Sequence, residues 1–118
     1  MIKGIGLDIV DLERISRSLQ RGSRLAERVL TPKEKKRFME MGNPRRKVEF
    51  LAGRFAAKEA LAKAAGTGIG KLSFQHIEVS SDKGGAPAIR AKGYEDSKLF
   101  ISITHSKDYA AAQVIIEE

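Results

Sequence analysis

Asp8, Glu59 and Lys63 are the residues whose types and neighbours point most directly to chemistry. Asp8 is a carboxylate in GIGLDIV, among glycines and aliphatic side chains. Glu59 and Lys63 lie four apart in VEFLAGRFAAKEALAKAA, residues 48–65, where Arg54 and Lys58 form a second pair four apart. On a helix that spacing stacks each pair on one face. A surface ion pair between Glu59 and Lys63 is the plainest use of such residues. Leu51, Phe55 and Ala62, however, fall between the two pairs and read as core. Charges embedded in apolar surroundings need partners, and a bound anion for the cations with a metal for the carboxylate would supply them.

Two elements must position these groups. Val48 to Ala65 predicts one long helix, rich in Ala, Leu, Lys and Glu, with Gly53 as its only weak interior residue. Phe50, Gly53, Ala56, Ala57, Ala60, Leu61 and Ala64 form a continuous arc of small or apolar side chains that calls for close packing. Ile2 to Val10 predicts a strand with Ile5, Leu7 and Ile9 on one face and Gly4, Gly6, Asp8 and Val10 on the other. Asp8 at a watery strand end would be ordinary. A metal ligand is the sharper reading, because Gly4 and Gly6 leave room for another element beside it.

Further along, Asp11 is a candidate N-cap for a helix burying Leu12, Ile15 and Leu19. Arg14, Arg17, Arg21, Arg24 and Arg28 recur at spacings of three and four, relieved only by Glu13 and Glu27, with Gly22 breaking the row into two segments. So one-signed a face is expected to dock an acidic partner. Thr31, Pro32 and Glu34 form a capping box that opens a helix through Phe38 and Met41, ending at Gly42. Asn43 and Pro44 are then expected as a turn, and Arg45, Arg46 and Lys47 lead into the long helix. Three cations at a helix start oppose its dipole unless an anion sits there.

Gly66-Thr67-Gly68-Ile69-Gly70 follows a helix and lacks the Walker spacing, so it reads as a helix cap and elbow, not a phosphate loop. The remainder predicts strands: one through Ile77 and Val79, a turn at 82–85, a return over 86–91, a short helix or loop over 93–98, a strand over 99–104 and a last one over 109–116. The apolar run of that last strand predicts a central or interface position. His105 falls at a strand end beside a turn, where functional residues gather, although a lone histidine is more often structural or exposed. An iron site from His76, His105 and Asp8 is conceivable, but no spacing favours it.

Composition narrows the class. The chain has 118 residues, enough for one domain over 1–118. It contains no cysteine, which excludes disulfides and thiolate metal sites and fits a reducing compartment. No signal-peptide pattern opens it and no apolar run approaches the roughly 20 residues of a membrane span, so a cytoplasmic protein without a membrane partner is expected. A formal charge of +7 directs attention to anionic partners.

Three segments, GIGLDIVDLERI, FLAGRFAAKEALAKAAGTG and SITHSKDYAAAQVI, together resemble the phosphopantetheinyl transferase superfamily. The length and basic first helix resemble its short type, the holo-[acyl-carrier-protein] synthases, and LTPKE between them also fits. The resemblance implies an α+β fold, with an antiparallel sheet packed against the long central helix. It implies transfer of the 4′-phosphopantetheine arm of coenzyme A to a serine of apo acyl carrier protein, in support of fatty acid biosynthesis, with release of adenosine 3′,5′-bisphosphate. By the same resemblance Asp8 and Glu59 match magnesium ligands and His105 matches a late histidine near the pyrophosphate. Lys63 is then expected on the pyrophosphate, Arg54 and Lys58 on coenzyme A, and Arg46 on its 3′-phosphate. Glu59 is the expected acceptor of the serine proton, and the arginine row gains an acidic carrier as its partner. The short type is trimeric with sites between subunits, so a homotrimer is expected.

Two rival readings remain. A small basic nucleic-acid-binding module would use the arginine face on phosphates. The seven aromatic residues show no stacking pattern on a strand, and such a module leaves Asp8 and Glu59 without a purpose. An inactive scaffold would bind the carrier without turnover.

Overall fold

The glycines of the first strand decide how the chain packs. In the computed structural model, which describes residues 1–118, β1 (Ile2–Asp11) lies directly on the long helix α4 (Pro44–Ala65). A Cβ on Gly4 would sit 1.9 Å from the Ala64 carbonyl oxygen, and one on Gly6 would sit 1.8 Å from that of Ala60. Two strand residues advance about 6.6 Å and four helix residues about 6.0 Å, so the two elements stay in step, backbone against backbone. Asp8 is the next residue on that face. The expected alternation of β1 is therefore observed.

The order of the remaining elements is α1 (Leu12–Gln20), α2 (Arg24–Val29), α3 (Pro32–Glu40), α4, a 3-10 turn (Phe74–His76), β2 (Ile77–Ser81), β3 (Pro87–Ala91), β4 (Lys98–His105) and β5 (Tyr109–Glu117). β1, β5 and β4 form an antiparallel sheet in that order, and β2 pairs antiparallel with β3. The architecture is the expected α+β one, and β5 takes the expected central position. Across the helix-facing side of the sheet run the rows Gly6–Val114–Ile101 and Asp8–Ala112–Ile103. The other side carries Ile5, Leu7 and Ile9, which are 57%, 61% and 65% exposed, beside Ile115 and a 51% exposed Phe100.

α4 is buried along most of its length, including the whole predicted arc, because the sheet covers one side while α1, α2, α3 and β2 cover the others. Gly53 faces β4: a Cβ there would lie 3.3 Å from Ile103 Cγ2. The helix begins earlier than the sequence reading had it. Asn43 accepts from the Arg46 amide as N-cap and Pro44 is the first helical residue, so the expected turn is a helix start. It ends on Gly66 in the left-handed region (φ 76°), the expected cap.

Asp11 caps α1 through the Glu13 and Arg14 amides, and Gly22 (φ 139°) separates α1 from α2. Thr31 and Glu34 complete the capping box of α3, which gives way at Met41. Residues 93–97 form turns without a helix. No helix is long and apolar enough to cross a membrane.

Candidate active site

Lys63 explains how the centre is assembled. Helical side chains tilt toward the helix N-terminus, so Lys63 reaches back along α4 to β1. There its ammonium donates to Asp8 Oδ1 at 2.8 Å and to the Leu7 carbonyl at 3.0 Å. The surface pair expected within the helix, Glu59 with Lys63, is replaced by this cross-element contact. Glu59, one turn before Lys63, is only partly covered. Its pKa is raised above the usual 4.5, first by burial and then by the Asp8 carboxylate, with Lys63 and Arg28 pulling it partly back. Two hard carboxylates that repel one another, with a lysine already drawn to one of them, form a donor set that suits a small divalent cation. Asp8 and Glu59 would hold it. No three histidine or carboxylate side chains converge, so the His76–His105–Asp8 iron site is not formed.

Lys58 corrects a sequence expectation. Its side chain is fully buried, and its ammonium donates to Glu34 Oε1 at 2.6 Å, the Val29 carbonyl at 2.7 Å and the Phe74 carbonyl at 3.1 Å. All three donors are occupied by the protein, so Lys58 is not a contact for coenzyme A.

Arg54 is different. It lies over the Phe50 ring, 4.0 Å from its centroid, and its Nε is buried without a partner. Burial, then the charge of nearby Arg37, pulls its pKa down to about 10. An unsatisfied buried donor beside a second arginine suits an anion. Arg37, which donates to Ser81 Oγ at 3.1 Å, was not picked out from the sequence. Its single signal, spacing within α3, did not distinguish it from an ordinary surface cation.

The cations at the start of α4 divide by function. Arg45 bonds Glu49 (3.1 Å) and the Lys107 carbonyl (2.6 Å), tying the β4–β5 turn to the helix, and Lys47 lies over Phe38. Arg46 is exposed. His105, half exposed at the end of β4, places Nδ1 3.6 Å from Glu49. Glu49 and Glu59 are ten residues apart on one helix, about 15 Å. Within one chain, therefore, His105 does not join Asp8, Glu59 and Lys63.

All five arginines of the row are exposed, and none forms an ion pair. Glu27, an acidic residue within the row, is held by Lys35. Arg28 alone turns back, lying 5.5 Å from the Phe74 ring centroid. Its place against Phe74 sets it apart from the rest of the arginine row.

Residues 4–114 match the 4′-phosphopantetheinyl transferase superfamily. The chain belongs to that superfamily. It is 58% identical over 118 residues to the holo-[acyl-carrier-protein] synthase of Geobacillus kaustophilus, covering 99% of this chain and 90% of the relative. To that of Oceanobacillus iheyensis it is 50% identical over 117 residues, covering 99% and 98%. A holo-(acyl-carrier-protein) synthase from Bacillus anthracis, solved in complex with CoA (3′,5′-ADP), has a TM-score of 0.91 at 46% identity, covering 99% of this chain and 97% of that one. The Helicobacter pylori enzyme in complex with coenzyme A has a TM-score of 0.83 at 36% identity, covering 96% and 99%. These relatives share the fold in which β1 brings Asp8 to Lys63 of α4.

Proposed function

We propose that this chain transfers the 4′-phosphopantetheine arm of coenzyme A to a serine of apo acyl carrier protein, with Mg²⁺ held by Asp8 and Glu59. The observation that carries the reading is the Lys63–Asp8 ion pair, one helical turn from Glu59, in a family whose solved members include coenzyme A complexes. In the reaction the serine oxygen forms a bond to the phosphorus that bears pantetheine. The bond from that phosphorus to the bridging oxygen breaks, and adenosine 3′,5′-bisphosphate leaves. Bound metal neutralises charge on the pyrophosphate. Glu59 receives the serine proton, a role open to a carboxylate at the reacting centre. Lys63 swings from Asp8 to the pyrophosphate, and its 53% exposed side chain leaves that path open. Arg54 offers its unpaired Nε to a phosphate of coenzyme A, and exposed Arg46 reaches the 3′-phosphate. Release of one adenosine 3′,5′-bisphosphate per carrier modified, abolished by chelation and restored by Mg²⁺, tests the reading; turnover unaffected by chelation contradicts the metal.

The acidic carrier docks on Arg14, Arg17, Arg21, Arg24 and Arg28. Replacing Arg14, Arg21 and Arg24 together by alanine raises KM for the carrier about tenfold and flattens its salt dependence, while KM for coenzyme A stays put. An unchanged carrier KM would remove the row from docking. A nucleic-acid module would use the same face on duplex DNA, and tight, salt-sensitive DNA binding would favour it.

The same reading makes the enzyme a cytoplasmic homotrimer with sites between subunits. The exposed Ile5, Leu7, Ile9 and Phe100 supply an apolar face for a neighbouring copy, and a neighbour is what brings His105 to the pyrophosphate. Inactive Glu59→Gln and His105→Ala chains, unfolded and refolded together, then recover roughly a quarter of wild-type turnover, because mixed assemblies contain intact sites. Activity no greater than the sum of the two variants alone would place the whole site in one chain.

A further inference from the structure

The buried Lys58 ammonium is placed to do more than fill the core. It takes hold of two stretches of backbone at once, the Val29 carbonyl at the end of α2 and the Phe74 carbonyl in the 3-10 turn. Arg28 is the residue before Val29, and the Phe74 ring is the surface on which its guanidinium lies. One side chain thus fixes both the stem of Arg28 and its seat. Phe74 in turn packs on Phe55, with ring centroids 5.7 Å apart, and Phe55 stands one turn before Glu59 on α4. Through Phe74 and Phe55, Arg28 is thereby held against the face of α4 that carries Glu59.

Glu34 holds the lysine in place. Its Oε1 accepts from both Lys58 and the Thr31 amide, and its Oε2 accepts from the Val79 amide at 2.7 Å. The capping-box carboxylate therefore anchors α3 to β2 and to α4 together. A buried ion pair is by itself weak evidence of a stabilising role, since apolar groups of like volume often replace one without loss.

We propose that Lys58, backed by Glu34, is a positioning residue for the transfer reaction, fixing Arg28 on Phe74 beside Glu59 so that the docked carrier and the carboxylate centre stay in register. This rests on the transferase reading above. The proposal gives Lys58 no contact with coenzyme A and Arg28 a duty that the other arginines of the row do not share.

A double-mutant cycle tests it. Turnover of coenzyme A and apo acyl carrier protein is measured for wild type, Lys58→Met, Arg28→Ala and the double variant, with folding checked by circular dichroism. Each single change lowers kcat about tenfold, KM for coenzyme A moves less than twofold in Lys58→Met, and the double variant is no slower than either single. Should Lys58→Met not fold, Lys58→Met/Glu34→Leu, which removes the pair as a unit, takes its place in the cycle. A multiplicative loss of about a hundredfold, full kcat in the folded lysine variant, or a large rise in coenzyme A KM would each overturn the proposal. A readout independent of turnover is the ring-current shift of the Arg28 Cδ protons over Phe74, read by NMR on the full chain. It collapses in the lysine variant if Lys58 seats Arg28, and persists if it does not. A wild type that fails to modify any carrier would sink the transferase reading, while this shift would still report on the seating.

Discussion

Glu59→Gln leaves a folded protein whose kcat falls on the order of 10²- to 10³-fold. The substitution keeps the shape of the side chain and removes its charge, so on the proposed mechanism Asp8 would remain the one carboxylate for the metal and the serine proton would lose its acceptor. Stability moves the other way. A carboxyl whose folded pKa exceeds its unfolded one stabilises the fold in its protonated form, and that contribution is lost as pH rises through the folded value. Burial and the Asp8 charge place Glu59 in that class. At neutral pH its ionised form therefore weakens the metal-free fold, and the amide relieves it. Metal-free Glu59→Gln should melt no lower than wild type while turnover collapses, the pattern of a residue kept for function. A melting point well below wild type would mean that Glu59 holds the structure together, and the kinetic loss would then say little about chemistry.

The second large effect is on the backbone contact that sets the site. Gly6→Ala asks for a Cβ 1.8 Å from the Ala60 carbonyl oxygen and 2.8 Å from the Ala64 amide nitrogen, atoms of a helix that cannot yield locally. The strand and helix must move apart, and such overpacking costs about 3 kcal/mol. For a domain of this size the melting temperature drops by about 12 °C, compared at fixed protein concentration because an oligomer's melting point depends on it. Since Asp8 follows on the same face of β1 and Glu59 precedes Ala60, widening this gap separates the two carboxylates. Thermal unfolding and metal affinity should therefore fall together. A variant with unchanged melting temperature would show that β1 does not pack on α4 as described.

What could be read from the sequence was what neighbours in the chain decide. The capping box of Thr31 and Glu34, the alternation of β1 and the Gly66 cap depend on residues a few positions apart, and the structure shows each of them. Asn43-Pro44 was legible in principle, since Asn at the cap and Pro at the first helical position are start signals; the three cations behind them masked the start. Lys58 was not legible. Its partners Glu34, Val29 and Phe74 lie 24, 29 and 16 residues away, and Glu34 already had a local use in the capping box. A buried lysine and a ligand-binding one look alike in sequence, because both stand among apolar neighbours. Asp8 and Glu59 were paired from the resemblance, and contact between β1 and α4 gives that pairing its physical basis in Gly4 and Gly6. The distance of His105 from that pair could not be read at all, since strand register and helix length set it jointly.

The most direct measurement is the intact mass of apo acyl carrier protein after incubation with this protein, coenzyme A and Mg²⁺, with Glu59→Gln in parallel. The account predicts a carrier heavier by one phosphopantetheinyl group with the wild type and almost no modified carrier with the variant. A carrier of unchanged mass with the wild type, across several acyl carrier proteins, would contradict the reaction, and equal modification by Glu59→Gln would contradict the site.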